Sequence, residues 1–169
     1  MKGNKVVGID IGLNGGIAIY DIRTKELNVF EMPVKKKENK RILDIKKLIS
    51  LFDTINSDII LVGVEKQHPF PKEGVKSVYS LGYQVGVIET ILNIIQSPYV
   101  FVEPKDWKKN FNLKGKKRDK ESIKKSYGIV KNYFKNRDFY TKRKKLHTGK
   151  IDACLILLYI LERKVKISP

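Results

Sequence analysis

Sulfur and imidazole are scarce in this chain, which has one cysteine, Cys154, and two histidines, His68 and His147. A lone cysteine excludes an intramolecular disulfide and cannot by itself build a cysteine-rich zinc site. Set in an apolar stretch, Cys154 reads as a small buried residue. Acids are few as well: 18 Asp and Glu stand against 35 Lys and Arg, a formal net charge of +17 with a pI near 9.8. That balance favours a polyanionic partner, nucleic acid ahead of an anionic membrane surface. No run approaches the roughly 18 consecutive apolar residues of a spanning helix, so no membrane segment is expected. "MKGNKVVGID" leads straight into a strand without a signal-peptide pattern, and we expect an intracellular, cytoplasmic protein. What is present suffices for a core, with 41% of 169 residues hydrophobic. Internal repeats, low-complexity linkers and composition shifts are lacking, so one domain is expected over residues 1–169.

Residues 5–11, 16–21 and 27–32 read as three short strands with turn-length links, which favours an antiparallel meander. "VKKKENKR" reads as a solvated basic loop. In "ILDIKKLISLFDTI", Ile42, Ile45, Leu48, Ile49 and Phe52 recur at helical spacing, with Asp44 near the start. "DIILVGVE" at 58–65 is a buried central strand. A Pro- and Gly-punctuated loop then enters a long helix through "VGVIETILNIIQ", where Gly82 and Gly86 have the spacing of close helix packing. "YVFVEP" predicts a strand and "PKDWKKNF" a short helix with Pro104 at its start. Within that helix Trp107 reads as a core anchor rather than a base-stacking platform. Charge dominates 114–145 around a helical stretch "SYGIVKNYF", and "TGKIDACLILLYILERK" closes the chain as a helix.

Asp10, Glu65 and Asp152 each interrupt an otherwise apolar segment. Taken singly, each fits either a salt-bridged or surface-facing acid or a functional carboxylate. Taken together in so basic a chain, they suggest convergence at one sheet end. Converging carboxylates repel unless protons or a cation intervene. Oxygen ligands suit Mg²⁺ or Mn²⁺, and two such ions about 4 Å apart serve phosphodiester hydrolysis.

Four stretches, "VGIDIGLNGGIAIYD", "VGVEKQHPFPKEGVKSVYSLGYQVGVIE", "VEPKDWKKNFNLKGKKRD" and "RKKLHTGKIDACLILLYILE", together resemble the RuvC-type resolvases of four-way (Holliday) DNA junctions. The likeness is to their phage, viral and plasmid branch, within the ribonuclease H-like superfamily. The resemblance spans nearly the whole chain, and its second block is the specific one. It implies an α/β fold, a mixed five-stranded sheet with its first three strands antiparallel and helices on both faces. It also implies an endonuclease that nicks paired strands of a junction, leaving 5′-phosphate and 3′-hydroxyl ends. Asp10, Glu65 and Asp152 match its catalytic metal ligands, for two Mg²⁺ or Mn²⁺ ions per site. Two symmetric nicks imply a C₂ homodimer, with the helix through "VGVIETILNII" as candidate interface.

The chain departs from the pattern one turn before Asp152, where Gly149 and Thr148 stand in place of an acid. His147, five positions before, is a candidate ligand if the helix start bends it inward, and otherwise a surface residue or phosphate contact. For DNA contact the resemblance nominates Phe70, Lys72, Lys76, Ser77, Tyr79 and Gln84; Phe70 either wedges into a base step or packs locally. Backbone phosphate falls to Lys105, Lys108, Lys109, Lys114, Lys116, Lys117 and Arg118, with Lys142, Arg143, Lys144 and Lys145. Lys66, next to Glu65, either neutralises a phosphate or is solvated.

Three rivals use some of the same residues. An actin-like or sugar-kinase ATPase also opens with a strand, an acid and a Gly-rich hairpin, but it needs two lobes and a second phosphate loop that this chain lacks. A junction-binding module without cleavage fits the missing fourth ligand. A nuclease of other branched DNA or of RNA–DNA hybrids shares sheet and acids with the resolvases.

Overall fold

The computed structural model describes residues 3–69, 71–113, 119–135, 137–141 and 143–163. Its sheet begins with β1 (Lys5–Asp10), β2 (Gly16–Asp21) and β3 (Glu26–Glu31), which form the expected antiparallel meander. The later strands β6 (Ile59–Glu65) and β7 (Tyr99–Val102) add in parallel on the other side of β1, giving the order β3-β2-β1-β6-β7. Central β1 and β6 are covered on both faces, which is why they read as continuous apolar runs rather than as alternating ones.

Two cores flank this sheet. On one face α1 (Ile45–Asp53) and α2 (Val75–Ile94) cover Val7, Ile9, Val62 and Val64 with Leu48, Phe52, Ile88 and Leu92. On the other, α3 (Pro104–Asn110), α4 (Lys120–Tyr133) and α5 (Thr148–Arg163) bury Trp107, Val130 and most of α5. Pro104 occupies the first turn of α3, and Asp44 caps α1, its carboxylate accepting from the Lys47 amide at 3.3 Å. Cys154 is fully buried within α5, and burial pushes its thiol well above the ordinary range. No helix of the described residues is long and apolar enough to cross a membrane.

Two expectations need correction. The basic segment after β3 is not a loop but a second, two-stranded sheet, β4 (Val34–Lys37) and β5 (Lys40–Leu43). Val34 and Leu43 pair across it and sink into the α1/α2 core, so the ends of the charged stretch are pinned by burial. Ile42 therefore belongs to a strand, and α1 begins three residues later. Within the chain Gly82 and Gly86 have no close neighbour: a Cβ on either would meet no atom within 4 Å among the described residues. Close approach occurs elsewhere, between α5 and the sheet. A Cβ on Gly8 would lie 2.2 Å from the Ala153 carbonyl oxygen, and one on Gly16 2.7 Å from the Gly149 carbonyl.

Candidate active site

Asp10 closes β1 and Glu65 closes β6, and the parallel register sets Ile9 opposite Val64 just before them. Ile9 and Val64 both enter the α1/α2 core. Side chains alternate along a strand, so Asp10 and Glu65 stand side by side on the opposite face, beneath α5. The glycines two positions earlier agree, since a Cβ on Gly8 or on Gly63 would meet α5. Asp152 lies in the second turn of α5 and is 6% exposed. The preceding Gly149 seats the start of that helix on the β1–β2 connection, where a Cβ would fall 2.3 Å from the Asn14 carbonyl oxygen. Glycine contacts thus deliver Asp152 to the end of the sheet that carries Asp10 and Glu65. The same contact explains the departure from the resolvase pattern, because an acid at Gly149 would collide with backbone.

Glu65 is held by two donors. The Trp107 indole N–H donates to Oε1 at 3.1 Å, and the Gln67 amide donates to Oε2 at 2.9 Å. Trp107 anchors α3 as expected, being 1% exposed, but its bond to Glu65 escaped sequence reasoning. The signal was present in part: a buried indole needs an acceptor, and only the fold says which. Trp107→Phe keeps most of the packing and strands that acceptor. We expect a loss of about 1 kcal/mol, against about 3–5 kcal/mol for Trp107→Ala, read as shifts of the urea midpoint. Equal losses would mean that the indole bond contributes nothing.

Lys66 is exposed, as one of its two readings expects, and its Nζ pairs with Glu103 at 2.8 Å. The other Glu103 oxygen lies 2.8 Å from His68 Nε2. Hydrogen bonds from Lys66 first and His68 second hold the Glu103 carboxyl down at about 2.

His147 precedes α5 and caps it, Nδ1 accepting from the Lys150 amide at 3.2 Å, while Nε2 lies 3.9 Å from Glu31. Burial lowers the pKa of this imidazole, Glu31 acts against that, and Lys150 reinforces it. Among the described residues, no group of three or more His, Cys, Asp and Glu is arranged to hold a metal ion. The three acids fit a hard divalent cation by donor type and by their shared end of the sheet. Among the described residues their side chains do not form a closed ligand set.

Among the DNA-contact candidates, Lys72, Lys76, Ser77 and Tyr79 are exposed where the loop enters α2, and the Ser77 hydroxyl donates to Glu73. Gln84 is different. It is 7% exposed, with its amide turned back on the Ser80 carbonyl at 2.9 Å, so it offers a strand almost no surface. Lys105 is exposed on α3, and Lys108 places its ammonium 5.2 Å from the centre of the Trp107 ring. Lys144 and Lys145 are exposed on a turn closed by the Tyr140–Leu146 bridge. Phe70, Lys114, Lys116, Lys117, Arg118 and Lys142 lie outside the described residues.

This is the mixed five-stranded α/β architecture of the ribonuclease H-like fold, with an acid at the end of each of two central strands and a third on the covering helix. Among solved structures it is similar to RuvC of Thermus thermophilus. The complex of that protein with a Holliday junction substrate matches with a TM-score of 0.55 and 14% identity, over 94% of this chain and 95% of that one. RuvC alone matches with a TM-score of 0.53 and 16% identity, again over 94% and 95%. The fowlpox virus resolvase bound to junction DNA matches with a TM-score of 0.47 and 15% identity, over 96% of this chain and 99% of that one. By sequence, no family model and no curated protein matches. The fold expected from the resemblance to RuvC-type resolvases is therefore the fold found.

Proposed function

We propose that this protein is an endonuclease that resolves four-way DNA junctions by paired nicks, leaving 5′-phosphate and 3′-hydroxyl ends. What supports this reading is a RuvC-like sheet whose two central strands end on Asp10 and Glu65, with Asp152 on the helix that covers that face. Mg²⁺ or Mn²⁺, two ions per site, is the proposed cofactor, held by Asp10, Glu65 and Asp152. When bound, such ions activate water and offset charge on phosphate. Trp107 and Gln67 orient the Glu65 carboxylate, and the glycine contacts under α5 set the position of Asp152. The basic surface attracts the phosphate backbone.

A C₂ homodimer is proposed, because symmetric nicks need two sites. Within the stretch "VGVIETILNII" Ile88, Ile91 and Leu92 pack into the core and Ile94 is exposed, and the support for a dimer comes from the exposed apolar side chains of α2, Val75, Tyr79, Tyr83 and Ile94, beside Gly82 and Gly86, over which space is open.

A second reading is favoured by one observation, the lack of a closed ligand set with Gly149 where a further acid would stand. In it the protein holds branched DNA without cutting. The experiment incubates the protein with a labelled four-way junction, a linear duplex and an RNA–DNA hybrid in Mg²⁺, Mn²⁺ or EDTA. Symmetric nicks in the junction alone, absent in EDTA, are expected. Binding without cleavage in either metal would establish the second reading, and cleavage of the hybrid would reassign the substrate.

A further inference from the structure

The β4–β5 hairpin carries charge that works against its own pairing. Its register sets Lys36 opposite Arg41 and Lys37 opposite Lys40. Like charges directly opposite on an antiparallel ladder are unfavourable. Residues 34–41 hold five cations and one acid, Glu38, and Lys35, Lys36, Lys37, Lys40 and Arg41 are all exposed. Among the described residues no acid pairs with any of the four lysines. Lys35, Lys37 and Lys40 share one face of the hairpin, opposite the face through which Val34 and Leu43 enter the core. The arm is nonetheless held in a defined place. Arg41 donates from Nη1 to the Asn14 side chain at 2.9 Å and from Nη2 to the Leu13 carbonyl at 2.6 Å. Those acceptors lie in the β1–β2 connection, which starts immediately after Asp10.

We propose that the β4–β5 hairpin is a phosphate-gripping arm that binds a nucleic-acid backbone beside the acid-bearing end of the sheet, through Lys35, Lys37 and Lys40. A polyanion supplies the countercharge that the fold withholds, and the Arg41 clamp carries the arm to the strand that ends on Asp10. The location rests on the nuclease reading; the binding itself does not.

The test compares the full chain with the triple variant Lys35→Gln, Lys37→Gln, Lys40→Gln. Anisotropy with a fluorescent four-way junction and a linear duplex, in EDTA, gives Kd between about 50 and 200 mM salt. Each phosphate contact contributes about 0.9 to the slope of log Kd against log salt, so the variant is expected to lose up to about 2.7 of that slope. Its melting temperature should not fall, because an opposed lysine pair has been removed. The matching Lys→Arg triple should retain the parent slope. A Gln triple whose slope lies within about 0.9 of the parent overturns the proposal. So does weakened binding to phosphatidylserine vesicles with DNA binding unchanged, which would make the arm a membrane contact. Cleavage by the parent protein reports on the nuclease reading separately, since a parent that binds junctions without cutting leaves the slope comparison intact.

Discussion

Gly8→Ala will destabilise this protein by about 3 kcal/mol or more, whereas Gly63→Ala, in the same position on the neighbouring strand, will change stability by less than about 1 kcal/mol. Both glycines face α5 from the middle of the sheet. The added methyl at Gly8 would stand 2.2 Å from the Ala153 carbonyl oxygen and 2.7 Å from the Leu157 amide nitrogen, both of them helix backbone. Backbone cannot rotate away, so the helix must lift from β1 along its length. At Gly63 the nearest atoms to the methyl would be Ile160 and Ile156 side-chain methyl groups at 3.0–3.2 Å, which a small rotamer adjustment relieves. Part of that strain is offset by the reduced backbone freedom of alanine in the unfolded chain. Urea midpoints of the two variants decide the matter. Equal costs would mean that the α5–β1 approach is not what determines packing on this face. The consequence reaches function, because the contact that Gly8 permits also sets where Asp152 stands, so residual folded Gly8→Ala is expected to cleave poorly.

Asp10→Asn is expected to leave the fold and junction binding intact while lowering cleavage by about 10²- to 10³-fold. Asparagine fills the volume of aspartate and keeps an oxygen acceptor, but it lacks the negative charge that would hold a divalent cation and does not repel Glu65 or Asp152. Asp152 is buried while Asp10 and Glu65 are partly exposed, and carboxylates directed toward one end of a sheet repel one another unless a cation intervenes. The variant is therefore expected to unfold at the same or higher urea concentration than the parent in EDTA. Added Mg²⁺ should stabilise the parent and not the variant, by the ordinary coupling of ligand binding to folding. Thermal melts with and without Mg²⁺, alongside a junction-nicking assay, measure both effects. An Asp10→Asn protein that fails to fold would identify Asp10 as a structural ion-pair partner instead.

Much of the fold is legible in the sequence. The two strands at the centre of the sheet could be read because β1 and β6 are apolar runs interrupted by single carboxylates, and the meander because its links are short. Pro104 and Asp44 marked helix starts through local chemistry that needs no distant partner. The β4–β5 hairpin was misread because its lysine-rich interior looks solvated; its ends, Val34 and Leu43, become strand anchors only where a core waits for them. Gly82 and Gly86 misled for the converse reason. Their spacing suits a close helix neighbour, yet the described fold leaves that side of α2 open.

The sequence by itself determined the elements other than the β4–β5 hairpin, the identity of the three acids and the excess of positive charge, all of which follow from local periodicity, composition and side-chain chemistry. Tertiary structure alone decided what those residues meet. It bonded Glu65 to Trp107, 42 residues away, and set Lys66 against Glu103. It also set the first turn of α5, at Gly149, against the Asn14–Gly15 backbone, leaving no room there for a side chain, and clamped a basic hairpin to the connection after Asp10. Contacts of this kind depend on how closely backbones approach and on which donor reaches which acceptor across the fold. No pattern within a single segment encodes that.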